Sequence, residues 1–100
     1  MEQTMKGYLV LDFSITDLSG FMEYVAKIPS FIEKHGGRYV VQGVEPESME
    51  GDWLPERLVI LEFPSTEIAK EFLTDPEAQS LFALRHKTTN GQLILAEGCF

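Results

Sequence analysis

The residues best equipped for chemistry fall between His35 and Arg57: His35, Arg38, Asp52, Trp53 and Arg57. An imidazole titrates near neutrality, which makes His35 the candidate proton shuttle of a catalytic site. Guanidinium groups present forked donors that match a carboxylate or an enolate, so Arg38 and Arg57 are candidate ligand-binding residues. Asp52 supplies an acceptor and Trp53 a large apolar wall. Arg38 also follows Gly36-Gly37, where a backbone without side chains lets a ligand come close. Together these residues describe a pocket for a small carboxylic acid near residues 35–57.

A plainer account uses the same residues. A histidine at a helix C-terminus is a partner of the helix dipole. Arg38 is then a surface charge, Asp52 holds Arg57 in a salt bridge, and Trp53 plugs one end of the fold. Glu50, Asp52 and Glu56, all in the loop that ends at Arg57, are the candidate acid partners for both arginines. His86, in the polar run Arg85-His86-Lys87, reads as surface.

Several chemistries find no residues to carry them. No His/Cys/Asp cluster has metal-ligand spacing, so neither a metal nor another cofactor is expected. There is no glycine-rich phosphate loop, no Gly-x-Ser-x-Gly and no cysteine with a nearby histidine. Sixteen acidic against eight basic residues give a net charge of −8. With no basic run to offset it, that charge repels phosphate backbones and anionic lipid, so neither nucleic acid nor membrane is an expected partner. The apolar runs are strand-sized, well short of a bilayer span, and Met1-Glu-Gln-Thr-Met5 lacks the pattern of a signal peptide. The single Cys99 cannot close an internal disulfide, which fits a reducing cytoplasm.

The elements that position these groups can be read in order. One hundred residues, 44 % of them apolar, make one domain with one core. Residues 1–5 are polar and read as loose. Gly7–Phe13 alternates as a strand with Leu9, Leu11 and Phe13 on one face and Tyr8, Val10 and Asp12 on the other. Ser14-Ile-Thr-Asp17 offers caps for a helix whose stripe is Leu18, Phe21, Met22, Val25, Ile28 and Ile32. Pro29 predicts a kink or restart there, and Gly36-Gly37 supply a left-handed stop. Arg38–Gln42 and Leu58–Phe63 are strands, joined by a connection from Gly43 to Arg57 that is long for a hairpin. Ser65 caps a helix containing Ile68, Ala69, Phe72 and Leu73. Asp75-Pro76-Glu77 starts another, with Ala78, Leu81, Phe82 and Arg85 on one face. Asn90-Gly91 reads as a turn and Gln92–Glu97 as the last strand.

The order β-α-β-β-α-β is the ferredoxin-like arrangement, an α+β fold with a four-stranded antiparallel sheet and helices on one face. Both faces of the first strand are too apolar for water, so a second copy packed sheet to sheet is the simple cover.

Gly36-Gly37-Arg38-Tyr39 followed by Glu50-Gly51-Asp52-Trp53 resembles the bacterial family called domain of unknown function 1330. Pro29, Arg57, Phe63-Pro64-Ser65, Ala69, Asp75-Pro76-Glu77, Gln79 and Leu84-Arg85 match as well, so the resemblance covers residues 6–98. It implies a dimeric α+β barrel, two ferredoxin-like units joined through their sheets, and brings no established reaction. The chain departs from the pattern at Gln42 and Val44, in place of an Arg-Gly-Gly continuation. Phe72 stands where Trp is usual, and Ala78 where Tyr is usual.

Two functions are therefore open. One is a small cytoplasmic homodimer that binds or transforms a small organic acid near residues 35–57. The other is a non-catalytic assembly module whose 43–57 loop belongs to the dimer interface. An enclosed cavity with His35, Arg38 or Arg57 pointing inward would favour the first.

Overall fold

Alternation in the first strand decides the layering. In the computed structural model, which describes residues 4–100, β1 (Gly7–Ile15) buries Leu9, Leu11 and Phe13 under the helices. Tyr8, Val10 and Asp12 point the other way. The chain continues as α1 (Leu18–Lys34), β2 (Arg38–Val44), β3 (Arg57–Phe63) and α2 (Thr66–Leu73). A single 3₁₀ turn (Pro76–Ala78), α3 (Gln79–Thr88) and β4 (Thr89–Glu97) complete it. The sheet has the order β2-β3-β1-β4 with antiparallel neighbours throughout. This is the expected ferredoxin-like α+β arrangement. The looseness expected of the first residues lies, for residues 1–3, outside the described residues.

Local signals fix most boundaries. Asp17 caps α1 by accepting from the Gly20 N–H at 3.3 Å. Ser65 caps α2 through Ile68 at 3.1 Å. At the end of α1, Gly36 takes φ +73°, Gly36 N–H donates to Glu33 O (2.9 Å) and Gly37 N–H to Ile32 O (2.8 Å). That paired closure is the glycine-terminated Schellman stop. Gly37 is needed for a different reason: a Cβ there would lie 2.5 Å from the ring of buried Phe63.

Three expectations are corrected. α1 runs through Pro29 without a restart, since proline removes one backbone donor and leaves the neighbouring turns bonded. Asn90-Gly91 is not a turn: both residues lie in β4, opposite Ser14 and Phe13. Gly91 is there for close approach, because a Cβ would stand 2.7 Å from that of Phe13. β2 extends to Val44 because irregularities in its pairing with β3, one at Gly43 with φ +75°, let the strand bend and continue.

The helices cover one face of the sheet only. The opposite face carries Val10, Val41, Val44, Leu58, Ile60 and Ile94, by alternation and register. Ile94 is 62 % and Val44 53 % exposed. Among the described residues, no helix is long and apolar enough to cross a membrane.

Candidate functional site

α1 leans on α3 and makes little direct contact with the strands beneath it. The gap is a cavity of about 290 Å³. Leu9, Leu11 and Phe13 of β1 with Val59 and Leu61 of β3 form its floor, and Phe21 and Val25 of α1 lie over them. Leu18 and Met22, both largely exposed, flank the opening. Five residues bring polar groups: Tyr24, Tyr39, Gln42, Arg57 and Arg85. Arg57 faces this side because it stands directly opposite buried Phe13 in the β1–β3 register.

Arg85 is the most confined of the five, 7 % exposed. Its guanidinium carbon lies 5.4 Å from the Phe82 ring centroid and 5.9 Å from that of Tyr24. One Nη2–H points to His86 Nε2 at 3.3 Å. No carboxylate of the described residues is within ion-pair distance of Arg85 or Arg57. Arg57 instead donates from Nη1 to the Gly43 carbonyl at 3.3 Å. Burial pushes the Tyr24 phenol above its ordinary pKa, against the opposing pull of Arg85. Tyr39 is raised by burial and, less, by Tyr24. Both phenols therefore stay protonated at neutral pH and can donate. No imidazole, carboxylate or thiol of the described residues lines the cavity. Its chemistry is that of donors around an apolar space.

Of the sequence candidates, only Arg57 reaches this cavity. Arg38 lies on the helix-free face, where its Nε donates to Glu62 Oε1 at 3.0 Å and the Tyr8 hydroxyl donates to Glu62 Oε2 at 2.9 Å. The Tyr8 hydrogen bond, with help from Arg38, holds the Glu62 carboxyl below its usual range. His35 donates from Nε2 to Asp75 Oδ2 at 2.8 Å, beside Lys34 Nζ at 2.9 Å. Asp75 also accepts the Glu77 N–H at 2.9 Å. Lys34 first, then His35 and the Glu77 N–H, hold the Asp75 carboxyl well below the carboxylate range. This knot ties the end of α1 to the 3₁₀ turn and stands apart from the cavity. Asp52 is exposed in the long loop. Trp53, 65 % exposed, donates to Asp12 Oδ2 at 2.8 Å on the helix-free side.

Sequence reading did not name Tyr24, Tyr39, Gln42 or Arg85 as site residues. For Arg85 a signal existed: a cation on the same helical face as Ala78, Leu81 and Phe82 must be buried with them.

A family model described as Domain of unknown function (DUF1330) matches residues 6–99. No curated protein matches the chain in sequence. Among solved structures, a protein of unknown function from Rhodopseudomonas palustris is similar at TM-score 0.78 and 17 % identity, over 96 % of this chain and 84 % of that one. SnoaB, a cofactor-independent oxygenase from Streptomyces nogalater, is similar at TM-score 0.67 and 11 % identity, over 97 % and 96 %. A dimeric protein of unknown function and ferredoxin-like fold from Bacteroides fragilis is similar at TM-score 0.55 and 14 % identity, over 93 % and 96 %. At these identities the likeness is one of fold.

Proposed function

The chain belongs to the DUF1330 family, and from its own surfaces we propose a cytoplasmic homodimer, joined through the helix-free sheet face, that binds a small organic acid beneath α1. The observation that carries the ligand is Arg85. A guanidinium buried without a carboxylate is costly, and this one borders an apolar cavity that an anion could enter. Arg57 is the second cation on the same cavity. Binding is the reading rather than catalysis, because the lining groups offer donors and no base near neutrality.

The dimer is supported by the exposed apolar side chains of the sheet and by the description of similar folds as dimeric. Met49, Trp53 and Leu54 of the long loop are exposed as well, which favours a place for the loop in that interface. Ligand binding and assembly thus occupy opposite faces of one sheet. Calorimetry with a panel of small carboxylic acids, alongside light scattering of the same sample, tests both. A monomer at micromolar concentration removes the assembly, and absence of heat with every acid at millimolar concentration removes the ligand.

A further inference from the structure

We propose that the acid held beneath α1 is a single-ring aromatic monocarboxylate, carboxylate on Arg85 and ring against Phe13, Phe21 and Tyr24. This rests on the organic-acid reading and narrows it to a chemical class.

Arg85 is more than nine-tenths buried, and its guanidinium lies against the Phe82 and Tyr24 rings. Its side-chain partners are neutral, His86 Nε2 at 3.3 Å and the Tyr24 hydroxyl, and no carboxylate of the described residues pairs with it. The remaining donors are preset for a planar, two-oxygen acceptor. Tyr24 lines the same cavity, and its hydroxyl, protonated beside Arg85, has a proton to donate to the same carboxylate.

Size and wall chemistry set the rest of the ligand. A volume of about 290 Å³ lies at the low end of ligand pockets, which start at roughly 300 Å³, and admits one ring rather than two. Phe13 and Phe21 have centroids 5.3 Å apart, tilted by 40°. Phe21 and Tyr24 are 5.9 Å apart at 28°. These are the offset and tilted packings that aromatic faces prefer, and they leave ring faces and edges for a further ring to meet. A flat, rigid acid loses little conformational freedom on entering, whereas a flexible chain of equal size loses much.

Charge separates one carboxylate from two. Arg57 is exposed and already lends Nη1 to Gly43, so solvent screens what it could give a second carboxylate. With Gln42 it forms a polar rim suited to a neutral hydroxyl at the far end of the ring.

Titration calorimetry on the intact protein, with 4-hydroxybenzoate, benzoate, cyclohexanecarboxylate, hexanoate and succinate, tests the class. The expected order places the two benzoates at least roughly tenfold tighter than hexanoate and succinate. Arg85→Met should weaken benzoate by roughly tenfold to a hundredfold, the loss of a charge-assisted pair, with Arg85→Lys retaining part of it. Circular dichroism verifies that both variants fold. If neither does, amide and side-chain NMR shifts of the wild type on adding benzoate must include Arg85 and Tyr24. Succinate or hexanoate binding as tightly as benzoate overturns the aromatic class and leaves the organic-acid reading standing. Benzoate shifts confined to other residues, or benzoate affinity unchanged in a folded Arg85→Met, overturn the anchor. No binding of any acid to the folded dimer overturns both the class and the reading beneath it.

Discussion

The indole Nε1 of Trp53 donates a 2.8 Å hydrogen bond to Asp12 Oδ2 across a separation of 41 residues. Asp12 points away from the helices, so the bond draws the long loop past β3 to the outer side of β1. The Trp53 ring remains 65 % exposed after making it. A large amphipathic ring held by its polar end, apolar faces outward, has the form of an interface anchor. Trp53→Ala should raise the dimer dissociation constant by roughly thirtyfold, about 2 kcal/mol, as read by sedimentation equilibrium. An unchanged constant would remove the loop from the interface.

Ile94→Lys should give a folded monomer. The side chain is 62 % exposed in the protomer, so the substitution spares the core, while an unpaired charge buried by dimerisation costs about 3–5 kcal/mol. The same variant should shift the Trp53 fluorescence maximum to the red. Light scattering and emission spectra check this together, and a dimer with unshifted emission would place the interface elsewhere.

The two glycines after α1 should fail in distinct ways. Gly36→Ala forces a side chain into φ +73° and should cost about 1–2 kcal/mol. Gly37→Ala sets a methyl group against the Phe63 ring, an overpacking of about 1–3 kcal/mol. For Gly37→Ala, Phe63→Leu in the same chain should restore part of the loss, and for Gly36→Ala it should not. Urea unfolding of the singles and doubles measures it.

Asp75→Asn should lower the melting temperature at neutral pH, because Lys34, His35 and the Glu77 N–H all converge on that carboxylate. The folded-state pKa is depressed, so the stabilisation is fully present above the unfolded value of about 3.9 and is lost as pH falls through the lower folded value. The difference between wild type and variant should shrink as pH falls below about 4, where the carboxylate begins to protonate in the unfolded chain before the folded one. A difference that persists undiminished through that range would contradict the assignment.

Acid binding should depend weakly on salt. Arg85 is buried, and ionic screening acts chiefly on exposed charges. Between about 50 and 500 mM salt the affinity should change by less than roughly threefold. A steep fall would place the anion at the exposed Arg57 instead.

Alternation, caps and the glycine stop made the fold legible, since each is a local rule that tertiary structure did not override. Asn90-Gly91 misled because a glycine that permits a turn is the same glycine that permits a strand to come close to Phe13. The site was harder to see, for a reason of register. The acids of the long loop, Glu50, Asp52 and Glu56, were the candidates for Arg38, but its carboxylate is Glu62, its direct partner across β2 and β3. His35 likewise finds Asp75, 40 residues away. The burial of Arg85 could be read from its helical face. So could Phe82, one turn before it. That the neighbour from α1 would be Tyr24 rather than an acid could not, because that depends on how α1 and α3 meet.

Adjacent residues of β1 serve opposite masters: Leu9, Leu11 and Phe13 floor the cavity, while Val10 and Asp12 belong to the face turned from the helices. A point substitution edits one surface and spares the other, so the cavity and the outer face can drift separately as sequences diverge. A one-residue insertion does the reverse. It turns over every later side chain of the strand, trading floor for facing and remaking both surfaces in one lesion. Descendants that remodel the cavity but keep the outer face should therefore differ along this strand by replacement at every second position, with its length unaltered.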